Sequence, residues 1–394
     1  MRYLILIWTT FFFNVVTINV EGESVDLNRS KNAQISDDVV DGEYVGGLNN
    51  GTPMYKNVVN KRTYNVKNKT ELIDALKRSK RGEVIYIKDD AVIDLSNVKK
   101  LIIPGGVTLA SGRGKGNSKG ALIFTKTNGT RPLIGTGGND IRITGIRIEG
   151  PDTEIYAKGN ALAGKSTEDL KKNRLNYYRK NMYGVPVSDG ITSWHQNLEI
   201  DNCELYGWTY GAIHLRGKGV RSNIHHNYIH HNQRFGLGYG VVLDGSTALI
   251  KANLFDFNRH SVAGTGRKNT GYEVCYNKFM ENNNGTWAID MHGGKDRNDG
   301  TDLAGSDLLI HNNIIRLNDG ALAVVIRGVP SKEAKIYDNQ IICVNKKITK
   351  KTISSLKNNV SSKANVSRFD QNHFIQQRNA QGKFFVTNNK VEQN

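Results

Sequence analysis

The chain has 394 residues, with 54 Lys and Arg against 37 Asp and Glu, a formal charge of +17 and a pI near 9.6. Such a surplus suits an acidic partner, whether nucleic acid, an anionic membrane or an acidic polymer. Three cysteines, Cys203, Cys275 and Cys343, are an odd count at no zinc-ligand spacing, which argues against a disulfide framework and reads as small buried hydrophobes, with one disulfide as the alternative.

Met1-Arg2, an apolar run from Leu4 to Val16 and short residues at Val20-Glu21-Gly22 read as a secretory signal peptide over 1–22. The run is too short for a membrane span, and nothing comparable follows. A secreted, extracellular protein is therefore expected. Residues 23–60 are polar and unpatterned and read as a flexible N-terminal segment. Seven Asn-x-Ser/Thr sequons, at Asn28, Asn50, Asn68, Asn128, Asn284, Asn359 and Asn365, would make it a glycoprotein in a eukaryotic secretory route.

Residues 70–78 read as a short amphipathic helix with Thr70 as N-cap and Leu72, Ala75 and Leu76 on the apolar face. Strands follow at Glu83–Ile87, Ile93–Leu95, Leu101–Ile103 and Val107–Leu109, with Pro104-Gly105-Gly106 as a turn. Then a repeat sets in. Leu198, Ile224, Ile250, Val274, Ile310 and Ile336 are each followed three residues later by Asp201, Asn227, Asn253, Asn277, Asn313 or Asn339. Two residues beyond stands Cys203, Ile229, Phe255, Phe279, Ile315 or Ile341. The steps are 26, 26, 24, 36 and 26 residues, and Ile141/Thr144/Ile146 is a weaker copy.

A period in this range marks a solenoid, and a unit this short and rich in Asn, Gly and β-branched residues reads as strand, Asn turn and short strand. The expected fold is all-β: a right-handed parallel β-helix of about eight or more coils, with a short N-terminal capping helix over its open end. The expected organisation is the helix over 61–345, an insertion at 151–197 and a basic C-terminal segment over 346–394, where Phe384–Val386 offers one further strand. A second excursion, Gly293–Ser306, accounts for the longest step. Gly159–Ser166 matches the phosphate-loop letters, but the polar stretch Asp152–Lys158 stands where a buried strand should precede it. No nucleotide and no nucleic acid are expected as ligands, and the protein reads as a monomer.

The segments TELIDALKRSKRGEVIYIKDDAVIDLS, IPGGVTLASGRG and IRITGIRIEG, followed by HHN and NLFDFNRH coils, resemble secreted pectin-lyase-like β-helix proteins over roughly residues 64–345. The resemblance implies a right-handed parallel β-helix and activity on polysaccharides. The chain lacks the WIDH and Arg-x-Pro-x-x-Arg segments of the main pectate lyase family and shows no Asp cluster for calcium. No cofactor or metal site is assigned, with Ca²⁺ left open.

Superposing the coils aligns AIHLRG, VVLDG, SVAGTG, AIDMHGG and VVIRG. Arg216, Asp244, His292 and Arg327 then share one position, and His214 and Asp290 share another. Stacked ~4.8 Å apart, these would form a polar track. A second track follows the corner: Asn232, Asn258, Asn282 and Asn318 read as a structural ladder, with Arg234, His260 and Asn284 two residues on. His225, His226, His230 and His231 read as outward polar residues or local hydrogen-bond partners.

Cleaving a uronate polymer by β-elimination needs a cation to neutralise the carboxylate, a base for the α-proton and an acid for the leaving oxygen. The planar fork of Arg fits a carboxylate, and His or Tyr fits the proton transfers. The catalytic set read from the sequence is His260 as base, Arg259 or Arg234 as carboxylate clamp, Tyr239 as acid, and Asp290 orienting a His such as His292. Arg216, Asp244, Arg327, Lys295 and His231 are assigned to substrate binding. The expected function is a secreted polysaccharide lyase on an anionic polysaccharide. The alternatives are a non-catalytic carbohydrate-binding β-helix, a uronate epimerase, and a glycoside hydrolase, for which Asp244 and Asp290 are the available carboxylates.

Overall fold

The computed structural model describes residues 39–47, 62–115, 117–151, 186–217, 220–234, 236–283, 287–318, 321–344, 368–369, 374–378 and 382–393. The expected signal peptide, the phosphate-loop match and Asn284 lie outside them. The described residues wind into a solenoid with three long sheets, one of eleven strands and two of ten. Each turn of chain adds one strand to each sheet. Thr247–Lys251, Leu254–Asp256 and His260–Gly264 make one such turn, and Gly271–Cys275, Lys278–Phe279 and Trp287–Met291 make the next. All pairings in the three sheets are parallel except that of Arg368–Phe369 with Ile375–Gln377.

Ile224, Ile250, Val274, Ile310 and Ile336 are register partners on successive strands of the first sheet, and all are fully buried in one continuous core. In the second sheet Ile229, Phe255, Phe279, Ile315 and Ile341 form the matching column. Each such side chain is worth about 1.5–3 kcal/mol of burial. Between the two columns runs the corner Asn ladder. The side-chain oxygens of Asn253, Asn277, Asn313, Asn339 and Asn389 accept the backbone N–H of Asn227, Asn253, Asn277, Asn313 and Asn339 in turn. The residues just before the rungs, His226, Ala252, Tyr276, Asn312 and Asp338, take φ between 52° and 56°. This bend turns the chain from one sheet to the next, and the ladder satisfies the backbone donors that the bend frees.

The first copies of the repeat sit two residues away from their expected places. Ile200, not Leu198, pairs with Ile224, and Leu205, not Cys203, pairs with Ile229. Cys203 instead closes the ladder, its N–H donating to Asn227 Oδ1 across a step of 24 residues. Ile143 and Ile148 likewise replace Ile141 and Ile146. Leu198 and Ile141 are also buried and fit the apolar pattern equally well, so a period-2 strand leaves the phase open by two. Asp201 faces away from the ladder and holds Arg142 through two bonds of 2.9 Å.

The helix Lys69–Arg78 packs over the first strands and buries Leu72, Ala75 and Leu76 as expected. Its cap is Asn68 rather than Thr70: Asn68 accepts from the Glu71 N–H, and the Glu71 carboxylate takes the N–H of Lys67 and the Asn68 amide. Within the stretch read as a flexible leader, Val39–Val40 and Glu43–Tyr44 form a hairpin, and Val40 and Val45 pack on Ala252, Ile314 and Ile342. At the other end, Ile375–Gln377, Lys383–Thr387 and Lys390–Gln393 add strands to all three sheets. Asp189–Ser193, inside the expected interruption, is already a strand of the third sheet. All three cysteines are buried and free.

Candidate functional site

Most of the candidate residues gather on the outer face of the third sheet. Strict alternation would turn His260 inward, since Val262 and Gly264 face the core. The structure avoids this with a bend. A Cβ on Gly240 would meet Ile229 and Phe255 in the core, and the next residue, Val241, is also a core residue. Two successive inward positions therefore return Tyr239 to the outer face, where it packs on Val242 and Ala263. His260 is the register partner of Tyr239.

A column of rings results. Tyr239 lies 6.0 Å from His260, and His260 lies 5.4 Å from Trp287 with the ring planes 2° apart. The guanidinium of Arg259 stands 5.9 Å from the Tyr239 ring, and those of Arg327 and Arg378 stand 5.1 and 4.9 Å from that of Trp287. The expected neighbours of His260 were Arg234 and Asn284; Tyr239 and Trp287 stand there instead. The reason is loop length. The chain runs from Asn258 to His260 in two steps, whereas the Asn232–Tyr239 segment includes Gly236 and Gly238 at positive φ. Arg234 is buried in that loop. The second Asn ladder holds from Asn232 to Asn258, and its next rung is Asn283 rather than Asn282, which instead bonds Asp256.

Asp290 is the centre of charge. It is fully buried, and its carboxylate accepts from Arg327 Nε at 3.0 Å and Nη2 at 2.6 Å, with His292 Nε2 at 3.1 Å. Burial opposes its ionisation, but Arg327 and His292 outweigh this and hold the carboxyl well below the usual carboxylate range. An ionised carboxylate only accepts, so His292 donates from Nε2, and in the neutral ring the lone pair then sits on Nδ1. The His292 side chain remains 27% exposed. Arg327 is committed elsewhere: its remaining nitrogen, Nη1, bonds Asp296 at 2.8 Å, which leaves no fork for a substrate.

His260 is sealed, at 1% exposure. Its Nδ1 lies 2.7 Å from the Trp287 carbonyl, which fixes the proton there and leaves Nε2 as an acceptor, without a partner, 3.9 Å from Asp290 Oδ2. Further buried polar atoms without a hydrogen-bond partner among the described residues line the same sheet: Thr192 Oγ1, the Gln376 amide and both ring nitrogens of His214, whose Nδ1 lies 3.6 Å from Asp189 Oδ2. His214 and Asp290 lie in one row through Val242 and Ala263, as expected from the aligned strands. Arg216 pairs in register with Asp244, and Asp244 accepts from Thr265. Lys295 is exposed on the short helix Gly294–Arg297, 4.0 Å from Asp302. His231 stands apart at the second sheet, stacked on Phe257 at 4.4 Å.

Burial pushes the His260 imidazole down to about 3, with Arg259 adding to the effect, and burial pushes His226 and His231 down to about 4. The unfolded chain takes up these protons near the ordinary 6.5, the folded chain only at 3–4. The stability they contribute is present above pH 6.5 and lost as pH falls through this window. The melting temperature should therefore decline from about pH 6.5 downwards, before the carboxylates titrate. Scanning calorimetry across this range checks it; a constant melting temperature down to about pH 4.5 would contradict the buried neutral state.

Glu199, Asp201 and His225 have ligand atoms close enough to hold a metal ion, as do Glu273, Cys275 and His311. The first set is already neutralised, because Asp201 is locked to Arg142. In the second, burial raises the Cys275 thiol to about 12, the range of a neutral hydrophobe rather than a thiolate.

No protein-family profile matches the chain, and no curated protein matches its sequence. Among solved structures, an alginate lyase from Paenibacillus superposes with a TM-score of 0.50 and 14% identity, over 84% of this chain and 99% of that one. The fold is the pectin-lyase-like right-handed parallel β-helix. Two further β-helix structures match at lower scores. A family 28 exopolygalacturonase from Yersinia enterocolitica matches at 0.44 and 15% identity, over 82% of this chain and 62% of that one. The A-module of a mannuronan C-5 epimerase from Azotobacter vinelandii matches at 0.37 and 12%, over 84% and 95%. A shared fold does not by itself choose an activity.

The structure brings His260, Asp290, His292 and Tyr239 to one sheet face and adds Trp287 and Arg378, which the sequence reading did not single out. Trp287 was visible, three residues before Asp290 in the aligned strand. Arg378 lies in a tail whose pattern is too weak to show that it returns to the sheet.

Proposed function

We propose that the protein is a secreted polysaccharide lyase that cleaves a uronic-acid-containing polymer by β-elimination. The observation that carries this reading is the Arg327–Asp290–His292 arrangement, a buried, ionised carboxylate orienting a partly exposed imidazole. His292 Nδ1 takes the proton α to the uronate carboxylate, and Asp290 stabilises the imidazolium that forms. The electron pair becomes the ring double bond as the glycosidic C–O bond breaks. The leaving oxygen takes its proton from solvent, because the Tyr239 phenol, the acid read from the sequence, is itself buried against Val242 and Ala263. Arg259, charged and half-buried beside Tyr239, is the candidate for neutralising the substrate carboxylate. His260 supports the arrangement from behind as a packed, neutral ring. The sequence-based choice of base thus moves from His260 to His292, because a base sealed at 1% exposure cannot meet a polymer.

A hydrolase reading has less support. Asp290 is held ionised and cannot serve as an acid, and Asp244 is bonded to Thr265 and stands 3.3 Å from Arg267. Incubation with a panel of polyuronates and glycosaminoglycans, followed by ultraviolet absorbance of the unsaturated product, tests the proposal. Absorbance should rise with one polymer class. New reducing ends without absorbance would indicate hydrolysis, and inverted sugar configuration without chain cleavage would indicate epimerisation; either overturns it.

A further inference from the structure

On the same sheet face, two strands before the Trp287–Met291 strand, the protein opens a cleft of about 470 Å³ lined by Trp194, Arg216, Asp244, Arg267, Lys268 and Asn269. Its charge is unbalanced. Asp244 has Arg267 Nε at 3.3 Å and the Thr265 hydroxyl at 3.0 Å, which accounts for one cation. Arg216 and Lys268 are exposed and have no carboxylate partner among the described residues. Lys100 adds a further charge, with Nζ 5.4 Å from the Trp194 ring. Trp194 itself is 39% exposed, an unusual position for an indole on a soluble surface.

An exposed indole beside surplus cations is a matched pair of features. The ring face offers an apolar platform for the C–H face of a sugar, and the cations take a carboxylate. A phosphate site would want a cradle of backbone N–H groups at a helix start, whereas this cleft is walled by side chains at strand ends. The cleft also lies in line with the proposed chemistry. Arg216 and Asp244 are register partners, and the row continues through Thr265 to His292, whose N–H groups bond back to Leu243 and Gly264 in parallel-strand fashion. The offset from Asp244 to His292 is two strands, or ~10 Å. One strand spacing is close to the length of one sugar in an extended 1,4-linked chain.

We propose that this cleft is a distal subsite for a uronate residue of the polymer that reaches His292, with Trp194 under the sugar ring and Arg216 and Lys268 on its carboxylate. The proposal rests on the polyuronate reading above, and equilibrium binding separates the two. Oligouronates of increasing length, prepared from alginate and from polygalacturonate, are titrated calorimetrically into His292→Ala protein, with and without Arg216→Ala/Lys268→Ala or Trp194→Ala. Circular dichroism verifies folding, which these surface substitutions should not disturb. In the parent, oligomers long enough to span both sites should bind more tightly than disaccharides. The cleft variants should lose that gain, about tenfold at low salt, and rising salt should erase the charge-dependent part. Loss of the gain without turnover of any polymer by the wild type would keep the subsite and sink the lyase reading. Unchanged affinity for long oligomers in the cleft variants would sink the subsite and leave the lyase reading standing. Equal displacement by dextran sulfate, insensitive to Trp194→Ala, would also overturn the subsite, since charge alone would then explain binding.

Discussion

Replacing Asp290 with alanine should destabilise the fold by about 3–5 kcal/mol, the usual cost of removing one partner from a buried ion pair. The carboxylate is fully buried and answers three donor atoms, two from Arg327 and one from His292. Its removal leaves Arg327 largely buried with only Asp296. It also removes the partial compensation that Asp290 offers His260 and Arg378, whose protonated forms burial already disfavours. Urea unfolding of the variant measures the loss. A double variant in which Asp290 and Arg327 both become leucine should recover a good part of it, because the uncompensated charge goes as well. A loss under about 1 kcal/mol for Asp290→Ala would mean that water reaches the pair and screens it.

The solenoid was legible because its rungs obey a strong rule. A buried corner needs a donor and an acceptor at every level, and Asn at a step of 24, 26 or 36 residues supplies both. Nothing comparable fixes the phase of the apolar positions where the Asn is missing. Leu198 and Ile200 are both buried, so the copy that ends in Cys203 was displaced by two residues. The polar row Arg216/Asp244 and the shared row of His214 and Asp290 were also legible, because strands that end alike before a glycine stack alike. The neighbours of His260 were not. They depend on a loop at Arg234–Gly238 whose length no periodicity encodes, and on the bend at Gly240 that brings a residue of inward parity back to the outside. Burial was the other hidden quantity. His260 and His292 look equally available in the sequence, and only packing between Tyr239 and Trp287 makes the first a sealed ring.

That difference gives the sharpest test of the site. On whichever polymer the protein cleaves, His292→Ala should lower turnover by about 10²–10⁴-fold, the range for loss of a positioned general base. Folding and polymer binding should be nearly retained, because the His292 side chain is partly exposed. His260→Ala should behave in the opposite way. It removes a buried ring stacked between two aromatic partners and a 2.7 Å bond to the Trp287 carbonyl, so the melting temperature should drop while activity per folded molecule stays within a few-fold. Steady-state kinetics and thermal melts on the same two preparations decide between them. If folded His260→Ala protein loses turnover and His292→Ala protein keeps it, the base is His260 and the site must open to admit substrate. If both keep full turnover, the ring column is a structural brace and the chemistry lies elsewhere along the row from Arg216 to Arg327.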